Sequence, residues 1–193
     1  EADAGKVGDG TEPFFVLATQ NPIEQEGTYN LPEAELDRFL LKIVVPYPKA
    51  EEEFAVVKTG GTASSVPVRK ILSSSDIATL RKLLSKIVCD DALIEYIVSL
   101  TSVTRPSSDK KASEHDITRY IAFGASPRAS IALNRCAKVR ALFAGRSFVL
   151  PEDVKAAAPD VLRHRLILSY EAAADNVSAD DLIEKILSLM PVP

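Results

Sequence analysis

The chain contains 193 residues, of which 46% are hydrophobic and 26% are charged, and its formal net charge is −4. Such a composition is typical of a globular protein that buries a core in one domain or two small ones. The acidic balance argues against a general nucleic-acid binder, because that affinity comes mainly from Lys and Arg side chains that neutralise phosphates. A helical DNA-binding domain is therefore a weak alternative.

The sequence predicts neither a membrane span nor a metal site. No apolar run approaches the ~20 residues of a transmembrane helix, and the first residues are acidic and small, unlike a signal peptide. Cys89 and Cys136 lie in segments with apolar periodicity, which indicates buried thiols in a reducing compartment. No His and Cys residues have the spacing of metal ligands. We expect a cytoplasmic protein.

The first part of the chain predicts a strand, a helix and a second strand. Residues 14–18 form a continuous apolar run, and residues 40–45 are apolar except for Lys42; such runs are typical of strands buried on both faces. Residues 21–29 contain Pro, Gly and polar side chains and are expected to form a loop. Residues 32–39 predict a short helix with acidic residues near its start.

The remainder predicts helices, with one short extended segment at 166–170. Asp90 and Asp91 are expected to cap a helix that places Leu93, Tyr96, Ile97 and Leu100 on one face. Residues 105–118 are polar and loop-like. The other predicted helices span residues 51–58, 75–88, 126–144, 151–162 and 178–189. The sequence therefore predicts two domains, at 1–48 and 49–193, and a mainly α fold.

Three side chains are candidates for phosphate chemistry. Asn21 follows the first apolar run, where an amide could hold a water in line with a phosphate, although Asn-Pro is also a common turn former. Arg38 could donate a fork of hydrogen bonds to phosphate oxygens, or it could pair with Asp37 or Glu35 on the surface.

Arg128 is the third candidate. Ser126 is a good N-cap and Pro127 fits the first helical position, so Arg128 falls in the first turn of a helix. A cation opposes the helix dipole there, which hints at an anionic partner for Arg128. The alternative is a simple Ser-Pro cap followed by a solvated Arg. His164, between Arg163 and Arg165 beside a helix end, predicts a structural role.

Residues 14–39 resemble the MoxR branch of the AAA+ ATPases. Their sequence is FFVLATQNPIEQEGTYNLPEAELDRF. Further similarity lies in Thr104-Arg105 and in the stretches GASPRAS (124–130), AGRSFVLPEDV (144–154) and VLRHRL (161–166). The departures are small: Asn30 and Glu35 stand where the family commonly has Pro and Gln. A larger departure is that the 193 residues contain no Gly-x-x-x-x-Gly-Lys-Ser/Thr phosphate loop.

The resemblance implies a role for each candidate. Asn21 would be sensor 1, Arg38 an arginine finger that faces the nucleotide of a neighbouring subunit, and Arg128 the sensor 2 residue that contacts the nucleotide of its own subunit. Residues 49–193 would be a helical lid, and residues 1–48 the end of an α/β core whose missing strands come from outside this chain.

The same resemblance implies that the complete protein binds ATP with Mg²⁺ between the subunits of a ring, with a hexamer expected. Hydrolysis would remodel or mature client proteins, including proteins with von Willebrand factor A-type domains. We expect no hydrolysis by this chain alone, because it lacks the phosphate loop. The alternative from a different class is a non-catalytic helical module that binds a protein partner.

Overall fold

A computed structural model describes residues 15–20, 32–60, 69–106 and 117–193. The helices are α1 (Glu33–Leu36), α2 (Ala50–Lys58), α3 (Ser74–Leu84), α4 (Asp91–Ser102), α5 (Pro127–Phe143), α6 (Pro151–Leu162), α7 (Tyr170–Ala174) and α8 (Ala179–Leu189). A 3-10 helix covers Ile117–Tyr120, and the strands are β1 (Ile121–Phe123) and β2 (Ile167–Leu168). The prediction of a mainly α chain is confirmed.

The chain divides into two compact units, residues 1–19 with 44–82 and residues 20–43 with 83–193. In the first unit, α2 begins after Lys49, whose backbone N–H donates to Glu52 at 2.9 Å. Three glutamates occupy the first turn of α2, as the helix dipole favours. Neither α2 nor α3 buries a residue fully. The predicted boundary at residue 48 stays a prediction.

The two predicted strands are not formed among the residues that the structure describes. Residues 15–18 and 40–45 have no strand conformation. The large side chains of these segments stay exposed, with Leu17 at 83% and Val45 at 85%. A strand exists only when its backbone groups pair with a neighbouring strand, and within the described ranges neither segment has such a neighbour.

The second unit contains the hydrophobic core. Helix α5 packs against α4 and α6, and α6 also packs against α8. The face of α5 that is buried consists mainly of small residues, which allow close helix packing: Ala129, Ala132, Leu133, Ala137 and Ala141. The predicted apolar face of α4 is confirmed, since Leu93, Tyr96, Ile97 and Leu100 are all buried.

Capping residues account for where these helices begin. The Asp90 carboxylate accepts a hydrogen bond from the Ala92 N–H at 3.0 Å, and Ser178 accepts from the Asp181 N–H at 3.2 Å. Each satisfies a backbone donor that the first helical turn leaves free. Helix α3 ends at Leu84, earlier than the predicted residue 88, because Val88 bonds with the backbone of Ser147 and Val149 instead.

A small antiparallel sheet completes the second unit. Ile121 of β1 pairs with Leu168 of β2, and Phe123 pairs with Ile167. The sequence predicted the extended segment at 166–170 but not β1, which precedes α5 and leads directly into its N-terminus. No helix among the described residues is long and apolar enough to cross a membrane.

Candidate functional site

The structure describes two of the three predicted site residues, Arg38 and Arg128. Asn21 lies outside the described residues, so its predicted role as sensor 1 stays a prediction. Arg38 and Arg128 both belong to the second unit. Arg38 follows α1 in a turn, and Arg128 lies in the first turn of α5.

The N-terminus of α5 forms as the sequence predicts. The Ser126 hydroxyl accepts a hydrogen bond from the Arg128 N–H at 3.2 Å, and Pro127 is the first helical residue. The Arg128 side chain is 56% exposed, and its Nη1 lies 3.6 Å from Oδ2 of Asp37. An exposed pair at that distance contributes about 1 kcal/mol or less. The anionic partner expected for Arg128 is therefore, in this structure, a weakly held carboxylate.

Asp37 is the point where this helix end meets the segment that carries Arg38. Its Oδ2 accepts a hydrogen bond from the Ser126 hydroxyl at 2.9 Å. Its Oδ1 accepts one from Nε of Arg165, also at 2.9 Å. The carboxylate is 20% exposed and thus bridges two cationic side chains, one buried and one exposed.

Arg165 is the buried half of this arrangement, with a side chain that is 3% exposed. Burial of a guanidinium is costly unless its donors are all satisfied. All five of its N–H donors have an acceptor. The acceptors are Oδ1 of Asp37 at 2.9 Å and the backbone carbonyls of Asp37 at 3.1 Å, Phe39 at 2.6 Å, Leu40 at 3.3 Å and Val161.

These bonds fix the backbone on both sides of Arg38 while the Arg38 side chain is exposed. Within the described ranges the Arg38 side chain makes no hydrogen bond or ion pair with Glu35 or Asp37, the surface partners that the sequence offered as an alternative. An arginine that is anchored through its backbone and exposed at its side chain suits a ligand outside the unit.

The neighbours of Arg165 hold the same segment. Nε2 of His164 lies 3.1 Å from the Phe39 carbonyl, and Arg163 donates to the Lys42 carbonyl at 2.5 Å. Burial lowers the pKa of His164, and the charge of Arg165 lowers it further. A neutral ring then donates from Nε2 to Phe39. The structural role predicted for His164 agrees with this contact.

A second set of contacts fixes the loop that precedes α5. The Ala125 N–H donates to the Thr104 hydroxyl at 2.9 Å, and Nε of Arg105 donates to the Ala125 carbonyl at 2.9 Å. Gly124 fits directly against the Thr104 backbone, where a Cβ atom would lie 2.2 Å from the carbonyl oxygen. The position of Ser126 and Arg128 is thus set by the end of α4.

Sequence reasoning named Arg38 and Arg128 but did not assign a role to Asp37 or Arg165. The available signal was the run Arg163-His164-Arg165 at the end of α6, since three cationic or titratable residues in succession need acceptors. The acceptors of this run at residues 37–42 lie more than a hundred positions earlier in the chain, so local pattern could not identify them. Within the described ranges, no group of His, Cys, Asp and Glu side chains could hold a metal ion.

Comparison with known proteins relates these motifs to a family. A family model described as "AAA lid domain" matches residues 113–186, and one described as "ATPase family associated with various cellular activities (AAA)" matches residues 4–41. A crystal structure of a candidate ATPase from Cytophaga hutchinsonii aligns with a TM-score of 0.80 at 42% identity. That alignment covers 94% of this chain and 55% of the other.

Curated relatives agree with the family models. Chaperone MoxR1 of Mycobacterium tuberculosis is 42% identical over 98% of this chain and 49% of its own length. The protein YeaC of Bacillus subtilis is 37% identical over 94% of this chain and 54% of its own length. Protein MoxR of Methylorubrum extorquens is 31% identical over 92% of this chain and 55% of its own length. The chain spans about half the length of these relatives. By these matches and by its own motifs, the chain belongs to the MoxR family of AAA+ ATPases.

Proposed function

We propose that this chain completes and senses a nucleotide site between neighbouring subunits of an ATPase. Arg128 contacts the phosphates of the nucleotide held by its own subunit. Arg38 reaches the nucleotide of the adjacent subunit and stabilises the charge that develops during phosphoryl transfer. Asn21 orients the attacking water.

The observation that carries this proposal is the contrast at Arg38 between a fixed backbone and an exposed side chain. Arg165 binds the carbonyls of Asp37 and Phe39, which flank Arg38, while Arg38 itself is exposed. Preorganised charge of this kind costs no rearrangement at the moment of reaction. A fixed backbone and an exposed side chain at Arg38 therefore support a role in which Arg38 binds a phosphate held by another subunit.

The described residues fit the phosphates of a nucleotide better than they fit its metal. The guanidinium groups of Arg38 and Arg128 suit phosphate oxygens, and Arg128 lies at the N-terminus of the 17-residue α5, which also favours anions. No described cluster of carboxylates could hold Mg²⁺. Mg-ATP supplies the transferred phosphoryl group when it is bound, and its metal ligands and phosphate loop come from other parts of the complete protein.

The exposed apolar segments support the same view of a larger assembly. Residues 15–17 and 43–45 expose large side chains that a soluble surface seldom groups together, including Phe15 at 80% and Ile43 at 69%. We infer that each segment pairs with strands from outside this chain. Hydrogen exchange in the complete protein should then be slow at both segments, and fast exchange there would contradict the pairing.

The complete protein is proposed to form a ring, with a hexamer expected, in the cytoplasm. Hydrolysis would remodel or mature client proteins, among them proteins with von Willebrand factor A-type domains. The name "chaperone" given to the relative from Mycobacterium tuberculosis supports the client role. Sedimentation of the complete protein with ATP tests the ring, since a monomer at all nucleotide concentrations would contradict it.

Mixed rings test the role of Arg38. Full-length Arg38→Ala subunits are mixed with wild type in increasing proportion, and ATP turnover is measured. If Arg38 acts on the neighbouring site, homogeneous mutant rings lose about 10³-fold or more in kcat. The matched control is Arg135→Ala, which removes an exposed arginine from α5 and should leave turnover unchanged.

The outcome also separates the ATPase from the alternative of an interaction module. Full activity of homogeneous Arg38→Ala rings would contradict the finger role. The 193-residue chain alone should not hydrolyse ATP, because it contains no phosphate loop. Hydrolysis by the isolated chain that Asn21→Ala abolishes would contradict this expectation.

A further inference from the structure

We propose that Asp37 and Arg165 are positioning residues, and that Asp37 links the arginine offered to the neighbouring site, Arg38, to the arginine of the subunit's own site, Arg128. This inference rests on the proposed function of Arg38. It adds two residues to the machinery and a route by which one nucleotide site is coupled to the next. The route is the Asp37 carboxylate, whose two oxygens contact different parts of the unit.

The first oxygen of Asp37 is held tightly. Oδ1 bonds to Nε of Arg165 at 2.9 Å, and the Arg165 side chain is 3% exposed. A charge-assisted bond in a buried place is stronger than a bond between neutral groups. The same guanidinium binds the backbone carbonyls of Asp37 and Phe39, so Arg38 cannot change its backbone position without breaking bonds to Arg165.

The second oxygen is held by the start of α5. Oδ2 accepts from the Ser126 hydroxyl at 2.9 Å and lies 3.6 Å from Nη1 of Arg128. The Ser126 hydroxyl also caps α5 by accepting from the Arg128 N–H. A shift of this helix end therefore acts on Asp37 directly, and through Asp37 it acts on the residue that follows, Arg38.

The weakness of the Arg128 contact is what makes the link responsive. A solvent-exposed pair at 3.6 Å is held loosely, so the greater negative charge of a bound phosphate can draw Arg128 away from Asp37. Asp37 then keeps Arg165 and Ser126 as partners. The loss of one of the two cationic neighbours changes the restraint on Arg38 without unfolding the segment.

Lysine cannot replace Arg165 in this role. Arg165 uses five donors that point in fixed directions, whereas lysine has three donors on one nitrogen. Arg165→Lys keeps the charge but cannot make the hydrogen bonds to Asp37 and Phe39 at the same time. Asp37→Asn is the milder variant, since it keeps an oxygen that can accept from Arg165 and removes the charge that faces α5.

The test measures kcat and KM for ATP in the full-length protein for Arg38→Ala, Asp37→Asn and Arg165→Lys. Misplacement of Arg38 in the neighbouring site should lower kcat by about ten- to a hundredfold and leave KM within about twofold. The matched control is Arg135→Lys, because Arg135 is an exposed arginine of α5 in the same unit. It should leave both constants within about twofold.

A double-mutant cycle tests the link itself. If Asp37 and Arg128 are coupled, Asp37→Asn should lower kcat at least about threefold less in an Arg128→Ala background than in wild type. Multiplicative effects of the two substitutions would overturn the link. A thermal midpoint is measured for each variant, and Asp37→Asn carries the test if Arg165→Lys unfolds.

The outcomes separate this inference from the proposed function. If Arg38→Ala leaves turnover unchanged, the role of Arg38 is wrong and the inference fails with it. If Arg38→Ala lowers kcat while Asp37→Asn and Arg165→Lys do not, only the positioning role is overturned. If all three lower kcat and Arg135→Lys does not, the positioning role is supported.

Discussion

Substitution of Gly124 by Ala should destabilise the second unit and displace the start of α5. Gly124 lies between β1 and α5, and Thr104, which follows the end of α4, packs directly against it. An added Cβ atom would lie 2.2 Å from the Thr104 carbonyl oxygen, 2.5 Å from its carbon and 2.7 Å from the Arg105 nitrogen. All three atoms belong to the backbone, so no side chain can rotate to make room.

The magnitude follows from what must move. Overpacking of a buried site costs about 1–3 kcal/mol. A shift of Gly124 away from Thr104 also strains the hydrogen bonds of Ala125 to Thr104 and Arg105, both 2.9 Å long, and each contributes about 1 kcal/mol. If both bonds are lost, the total is a loss of about 3–5 kcal/mol in the free energy of unfolding. A chain of this length loses about 2–4 °C in Tm for each kcal/mol.

Urea denaturation of the 193-residue chain, followed by circular dichroism, measures this loss. The matched control is Gly145→Ala, since Gly145 has a φ of +71° and no atom within 4 Å of its added Cβ. That variant suffers backbone strain only, about 1–2 kcal/mol. If Gly124→Ala were as stable as wild type, or less destabilised than Gly145→Ala, the reasoning about close contact at Gly124 would be refuted.

Three further predictions concern stability. Burial alone would raise the pKa of Asp153, but hydrogen bonds from Arg146 and from a backbone N–H hold this pKa below its usual value, so the ion pair stabilises the fold above pH ~4. Asp153→Asn should therefore reduce the loss of stability against urea that occurs below that pH. If the variant lost as much stability in acid as wild type, the pairing would be contradicted. Since the pKa of His164 is lowered in the folded chain, protonation favours unfolding as the pH falls below ~6.5. His164→Gln should remove that part of the pH dependence. If the unfolding free energy of the variant still changed with pH between 7 and 5 as in wild type, His164 would not be its source. Leu133→Ala should cost about 2–5 kcal/mol of unfolding free energy, because Leu133 is 0% exposed in α5, and a cost no larger than that of Ile131→Ala, on the exposed side of the same helix, would contradict the packing.

Local sequence signals predicted most of the helical part. Helices α5, α6 and α8 begin where Ser126, Pro151 and Ser178 indicated, since a capping side chain or a first-turn proline acts on backbone groups within three residues. The apolar face of α4 could also be read directly, because helical periodicity of 3.6 residues places i, i+3 and i+4 on one side.

Features that depend on distant parts of the chain could not be decided from local signals. The runs at 14–18 and 40–45 predict strands, but hydrophobicity alone does not supply the hydrogen-bond partner that a strand requires. Strand β1 was missed because three residues are too few for a periodic pattern, and its pairing with β2 joins positions 121 and 168.

Motifs and caps are local, so the amino-acid pattern alone indicates the family, the helical character and the candidate arginines, Arg38 and Arg128. The fold was needed to show that Arg165 binds the backbone around Arg38 and that Asp37 connects this contact to the start of α5. Those contacts link residues 37 and 165. A guanidinium finds five acceptors only where the folded chain brings separate carbonyls together, and no pattern of neighbouring residues encodes that meeting.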